Sequence, residues 1–255
     1  MTMAEFRAVV QPPGLLDRNS GEHWAGRLYV RRYSPYLTRA LTRTPVTPNA
    51  VTWAMIAAGL LAALALTVAG LPGAILAALL IQLQILFDCS DGELARWRNQ
   101  KSTAGVYLDR IGHYLTEAAL PIGLGIRADG GWHHTGTYTT LGLIIAVLVL
   151  LVKSETALVH VARAEAGLPL VRDTAAVAAP RGSLLRTLRR AAGRAPFFRA
   201  FVAIEFTLLA LAAAIADAIH GGLTFTRALV WVLLPVAALT AVGHLLAILT
   251  SDRLR

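Results

Sequence analysis

The sequence predicts an all-α integral membrane protein of six transmembrane helices with an N-terminal cytoplasmic amphipathic segment. Three observations carry that prediction. Charged residues make up 15% of the chain and hydrophobic residues 56%, whereas a soluble domain carries about a quarter charged; the mean hydropathy is +0.57. Long stretches hold no charge at all, over 51–69, 71–87, 141–152 and 206–216, and 228–249 behaves alike. Extended slightly into their flanks, these runs reach the roughly 20 residues that a helical span needs. The arginines alternate in position. Arg27, Arg31, Arg32, Arg39 and Arg43 precede the first run, eight lie between 163 and 199, and Arg253 and Arg255 close the sequence. The intervening connections at 70–73, 127–136 and 220–227 carry few cations. That asymmetry is the positive-inside pattern and places both termini and the long arginine loop in the cytoplasm of a bacterial-type plasma membrane.

The net charge of +9 is explained by this topology and by contact with anionic headgroups. Nucleic acid is therefore not expected among the partners. A single cysteine, Cys89, excludes an internal disulfide.

Taken in order, 1–23 reads as a polar tail, too polar for a secretory signal, so the first span is expected to direct insertion. Segment 24–46 mixes aromatics and leucines with arginines and should lie along the membrane face. Pro35 is expected to divide it into two short helices. The six-helix domain occupies 47–252, with helices over 49–70, 72–98, 103–127, 137–165, 196–218 and 225–250. Pro48 opens the first helix, with Thr47 or Asn49 as its cap. Residues 70–73 form a tight turn, and 128–136, rich in glycine, ends the third helix. The cytoplasmic loop at about 166–195 contains SLLRTLRRAAGR, a surface helix or a solvated linker.

The chemistry concentrates in FDCSDGELARWRNQKSTAGVYLDRIGHYLTE, residues 87–117. Asp88 and Asp91 are spaced i, i+3 on the second helix, followed on the same face by Ala95 and Arg96. Asp109, His113 and Glu117 share a face of the third helix at i, i+4, i+8. The second helix runs inward and the third outward, so the two faces meet near the cytoplasmic boundary. Carboxylates at that depth are costly unless paired, hydrated or bound to a cation. Three converging carboxylates suit Mg²⁺, Mn²⁺ or Ca²⁺. Gly92 and Gly105 let a ligand approach the backbone closely. Divalent cations beside Arg96 make a diphosphate site, for which phosphoryl-type transfer is the natural chemistry. The alternative is a wet helix end whose acids are balanced by Arg96, Arg98 and Arg110.

The run Asp88-x2-Asp91-Gly92-x2-Ala95-Arg96-x8-Gly105-x3-Asp109-x3-His113 resembles the signature of the CDP-alcohol phosphotransferases, D-x2-D-G-x2-A-R-x8-G-x3-D-x3-D. Seven of eight fixed positions agree across 26 residues without a spacing error. TPNAVT, residues 47–52, resembles the segment opening the family's first span, and the likeness covers about 24–250. It implies that 47–252 is the catalytic domain of a membrane transferase in phospholipid biosynthesis. It would move a phosphatidyl or polyol-phosphate group from a CDP-linked donor to an alcohol and release CMP. Asp88, Asp91 and Asp109 would hold two divalent cations, Mg²⁺ or Mn²⁺. Gly92, Ala95, Arg96 and Gly105 would seat the CDP moiety. The donor would be CDP-diacylglycerol or a CDP-polyol, and a homodimer in the lipid bilayer is the expected assembly.

One position departs from the pattern. His113 stands where the family has its last aspartate, read as the base and partly as a ligand. Imidazole is fit to be a base near neutral pH and can ligate a metal, while Glu117 one turn on offers a carboxylate. A weakened or repurposed CDP-binding site is the other outcome. Lys153 and Glu155 interrupt the fourth helix. Lys153 suits a phosphate or polar acceptor, or pairs with Glu155, or snorkels. Arg110 and Arg199 are further acceptor-binding candidates, although Arg199 is within reach of a bridge to Glu205. His244 reads as a packed, hydrogen-bonded histidine. A cation-coupled transporter would spread its charges across the membrane depth, whereas these acids cluster at one edge.

Overall fold

A computed structural model of the chain describes residues 1–13, 24–169 and 197–254. Among them there is no strand. The helices are α1 (Met3–Val10), α2 (Arg31–Leu41), α3 (Pro48–Leu66), α4 (Leu71–Trp97), α5 (Thr103–Ala128), α6 (Thr137–Glu165), α7 (Ala203–His220) and α8 (Thr224–Thr250). The surface helix expected within 183–194 lies outside the described residues. Five helices (α3, α4, α6, α7 and α8) are long and apolar enough to cross a membrane. Helix α5 is 26 residues long, but Asp109, Arg110, Glu117 and Arg127 make it more polar. Large apolar side chains face outward along the helices, with Leu239 at 74% exposure and Val147 at 64%. Lipid, unlike water, imposes no penalty on such surface. The chain is an all-helical integral membrane protein.

The chain divides into two compact units, Met1–Ala62 with Leu76–Thr116, and Ala63–Ile75 with Glu117–Arg255. In the first, α3, α4 and α5 pack through small residues. A Cβ on Gly59 would lie 2.0 Å from Thr116 Oγ1 and 3.0 Å from Gln84 Nε2, and Gln84 Nε2 donates to Thr116 Oγ1 at 3.0 Å. Gly59 thus lets three helices meet at one level, as small residues do where apolar lipid gives no drive for association. Thr47 is the cap of α3, its hydroxyl accepting from the N–H of Ala50 at 3.2 Å.

Two expectations for the N-terminal region are corrected in this unit. The tail is not simply polar. Helix α1 carries a capping box in which Thr2 and Glu5 bond each other's backbone, and it buries Phe6 and Val10. Pro35 does not split the amphipathic segment either, because it sits inside α2. Proline has no N–H, so the carbonyl of Arg31 four residues back loses its helical donor. Gln11 Nε2 donates to that carbonyl at 2.9 Å, and Arg7 Nη2 donates to the next one, of Arg32, at 2.9 Å. Side chains from α1 and its cap supply what the proline removed, and the helix continues.

In the second unit, two aspartates close helix connections. Asp129 accepts from the N–H groups of Gly136, Tyr138 and Thr139 and from the Thr139 hydroxyl at 2.7 to 3.2 Å. Burial alone would raise its pKa, but the bonds from Thr139, Gly136 and Tyr138 together hold it below the ordinary aspartate value. Asp217 does the same for α8, accepting from Phe225 N at 2.7 Å, Thr226 N at 3.0 Å and Thr226 Oγ1 at 2.6 Å. Both satisfy first-turn N–H groups that a helix cannot satisfy itself. Arg127, 1% exposed, donates to the carbonyls of Val68 and Gly70 at 2.7 and 2.9 Å. The helix expected from 196 starts later, since Phe197–Phe201 is a 3₁₀ turn and Val202 is extended.

Candidate functional site

Helix α4 continues without a break through Asp88, Ser90, Asp91, Gly92 and Glu93 to Trp97, so its polar C-terminal third inherits the register of its apolar part. Opposite it, the first half of α5 presents Asp109 and His113. His113 Nε2 lies 3.1 Å from Asp88 Oδ1 and 3.6 Å from Asp109 Oδ1. One ligand atom from each of Asp88, Asp109 and His113 can be chosen so that all lie within 4.8 Å of one another. The Asp88 and Asp109 carboxyl groups are also in hydrogen-bonding contact. Two carboxyl groups this close offer oxygen ligands to a shared cation.

Asp91 stands slightly apart. Its Oδ2 accepts from Thr52 Oγ1 at 2.7 Å, though it remains within electrostatic reach of Asp88 and Asp109. Thr52 closes the TPNAVT segment, so the two stretches that looked alike to one family are joined by a hydrogen bond. The guanidinium of Arg96 covers Gly92, where an added Cβ would sit 3.2 Å from Nη1. Ala95 is half-buried. Gly105 has Asn49 Oδ1 and Ser102 Oγ close to where its Cβ would be, at 3.1 and 3.2 Å. Arg110 is exposed.

A sequence model of the CDP-alcohol phosphatidyltransferases matches residues 45–250. The chain belongs to that family. Comparison with curated proteins gave no match. Membership supports transfer of phosphatidyl groups from a CDP-alcohol in a lipid membrane, with the family's use of divalent metal. The residues present fit such a metal: oxygen donors dominate the Asp88, Asp109 and His113 group, as hard cations require, and the contact between two carboxylates calls for positive charge.

The remaining candidates lie in the second unit, each in a pair. Glu117, 7% exposed, has Oε2 2.8 Å from Lys153 Nζ. Lys153 thus has a carboxylate partner on α5. Glu155 Oε2 lies 2.7 Å from His244 Nδ1, in keeping with a hydrogen-bonded histidine at 244. Arg199 Nε donates to Glu205 Oε1 at 3.0 Å, the bridge that its spacing allowed. Glu117 and Lys153 line a cavity of about 130 Å³ together with Val149, Val152, Phe201 and Thr240.

Sequence reasoning passed over Glu93. It is completely buried and accepts from Ser34 Oγ at 2.6 Å, Thr38 Oγ1 at 2.7 Å and Gln11 Nε2 at 2.7 Å, with Arg31 Nη1 at 3.6 Å. It occupies a variable position of the motif, so no spacing rule marks it. The one available signal was a charged residue three before Arg96 and so beside it on the helix surface, where Ser34 and Thr38 dock.

Proposed function

We propose that the chain is a membrane CDP-alcohol phosphotransferase that moves a substituted phosphate from a CDP-linked donor, CDP-diacylglycerol or a CDP-polyol, to an alcohol, and releases CMP. The observation that carries this reading is the convergence of Asp88, Asp109 and His113 from two helices, with like charges in contact. Asp88, Asp91 and Asp109 would hold two divalent cations, Mg²⁺ or Mn²⁺, with His113 beside them serving as the base rather than as a ligand. Those cations, when bound, neutralise the diphosphate and stabilise the leaving CMP. Gly92, Ala95 and Gly105 would flank the CDP moiety, and Arg96 would pair with its diphosphate. The alcohol oxygen attacks the phosphorus of the transferred group as His113 takes the hydroxyl proton. The bond from that phosphorus to the CMP oxygen then breaks. His113 is preferred over Glu117 as base because it sits among the carboxylates, whereas Glu117 pairs with Lys153. Lys153 is a candidate for binding the acceptor, with Arg110 and Arg199 as weaker ones. Six spans, α5 included, with both termini cytoplasmic and a homodimeric assembly complete the reading.

The test is CMP release by purified protein from CDP-diacylglycerol and from CDP-inositol, each with several alcohol acceptors, with and without Mg²⁺ or Mn²⁺. Metal-dependent release from one donor is expected. The histidine at 113 favours one second reading, a relative that binds CDP compounds without turnover. Nucleotide binding without CMP release from any donor, restored to release by His113→Asp, would replace the first reading with that one.

A further inference from the structure

The family match begins at residue 45, yet the segment before it reaches the motif itself. Phe6 packs against Trp97 with ring centroids 4.7 Å apart and the planes tilted by 51°. Arg96 Nε donates to the Val10 carbonyl at 2.6 Å. Val10 is the last residue of α1, and its carbonyl is one of those a helix leaves without an internal donor. It also sits at the negative end of the helix dipole, which favours a cation. The adjacent Gln11 caps the helix, its N–H donating to Arg7 O at 2.8 Å. Its side chain donates to Glu93 Oε1 at 2.7 Å and to the Arg31 carbonyl at 2.9 Å. Glu93 is fixed in turn by Ser34 and Thr38. The carbonyl facing Arg96 is thus held at the end of a short rigid chain of bonds.

The consequence is an orientation. With Nε engaged by Val10, the other edge of the guanidinium lies over Gly92, Nη1 and Nη2 being 3.2 and 3.6 Å from where a Cβ would stand. Among the described residues those two nitrogens meet no acceptor. A guanidinium held by one edge offers the other as a fork matched to two phosphate oxygens.

We propose that α1 is a positioning element for the donor: the Val10 carbonyl, seated by the Gln11–Glu93 bond, holds Arg96 so that its terminal nitrogens face the diphosphate of the CDP moiety. This rests on the assignment of Arg96 to the donor. Gln11, Val10 and Glu93 touch no substrate and act through Arg96. A helix that only covered the end of α4 would contribute to stability and not to nucleotide affinity.

The experiment is a double-mutant cycle on the full chain, read as the affinity for CDP in the presence of Mn²⁺ by calorimetry, with melting temperature recorded alongside. Gln11→Ala should weaken CDP binding about 3- to 10-fold, the size of one hydrogen bond. In the Arg96→Ala background the same change should have no further effect, because the group it positions is gone. Phe6→Ala, which unseats α1 without touching Glu93, should show the same dependence on Arg96. Equal losses in both backgrounds, or no loss from either variant in the parent, would overturn the role of α1 while leaving the assignment of Arg96 intact. If Arg96→Ala itself binds CDP like the parent, the assignment of Arg96 falls and the inference with it.

Discussion

Asp88 and Asp109 are in contact with each other and share a single imidazole, whereas Glu117 and Glu155 each have a basic partner within 2.8 Å. Both sets are acids on helices of a membrane protein, and both are expensive to bury. The pairs solve that cost inside the protein, since removing charge from water is compensated by a neighbour with the opposite tendency. The cluster instead sets two carboxylates around one imidazole, an arrangement that suits the uptake of a cation. Partial exposure fits that difference: the Asp109 side chain is 42% exposed and that of Glu117 8%. Like charges gathered in an accessible place mark a site for chemistry, and opposite charges closed away mark a fastening.

The largest effect should come from breaking the cluster. Asp88→Asn or Asp109→Asn should lower CMP release by at least ~10²-fold, the scale for losing a group that stabilises charge in the transition state. The melting temperature without metal should hold or rise, because a repulsion has gone. EDTA should abolish the activity of the parent, and Mg²⁺ or Mn²⁺ should restore it. Activity that withstood both treatments would end the metal reading.

Next is His113, where this chain departs from its family. His113→Ala should cost ~10²- to 10⁴-fold in turnover, the usual range for a positioned base, while His113→Asp should retain substantial activity. If His113→Ala turned over like the parent and Glu117→Gln were inactive, the base would be Glu117 and the line between cluster and fastening would have been drawn wrongly.

The fastenings should respond in the opposite sense. His244→Ala leaves the carboxylate of Glu155 buried without its partner, at about 1–3 kcal/mol. A clear drop in melting temperature is expected, with turnover per folded molecule unchanged. An unaltered melting temperature would show that the Glu155–His244 contact holds nothing.

The smallest effect is on Asp129, a capping acid whose pKa lies below its ordinary value. A carboxyl with a depressed folded-state pKa adds stability above its unfolded pKa, near 3.9, and loses it as the pH falls through the folded value. Asp129→Asn should therefore melt below the parent at pH 7, and the gap should close progressively below about pH 4. A gap independent of pH would assign the effect to geometry and not to charge.

Much of this was legible in the residue order. The five apolar helices followed from uncharged runs and breakers, because in lipid a backbone must bond within its own segment and length alone then fixes a span. The register of Asp88, Asp109 and His113 followed from helical periodicity, which sequence spacing states directly. Three things had to wait for packing. Pro35 was read as a break because its missing donor is a local fact, while the Gln11 amide that replaces it comes from 24 residues earlier. Lys153 was given Glu155 or a ligand because those are near in sequence or in chemistry. Its carboxylate partner Glu117 lies on another helix, and Glu155 turns to His244. Glu93, passed over in the sequence, is the buried anchor of the N-terminal segment. Sequence determined which residues could share a helix face, since that depends on one repeating geometry. Only the tertiary structure decided which acids met a base and which met each other, because a charge in a low-dielectric interior is settled by whatever lies within a few ångströms of it, and that is a property of the packed helices.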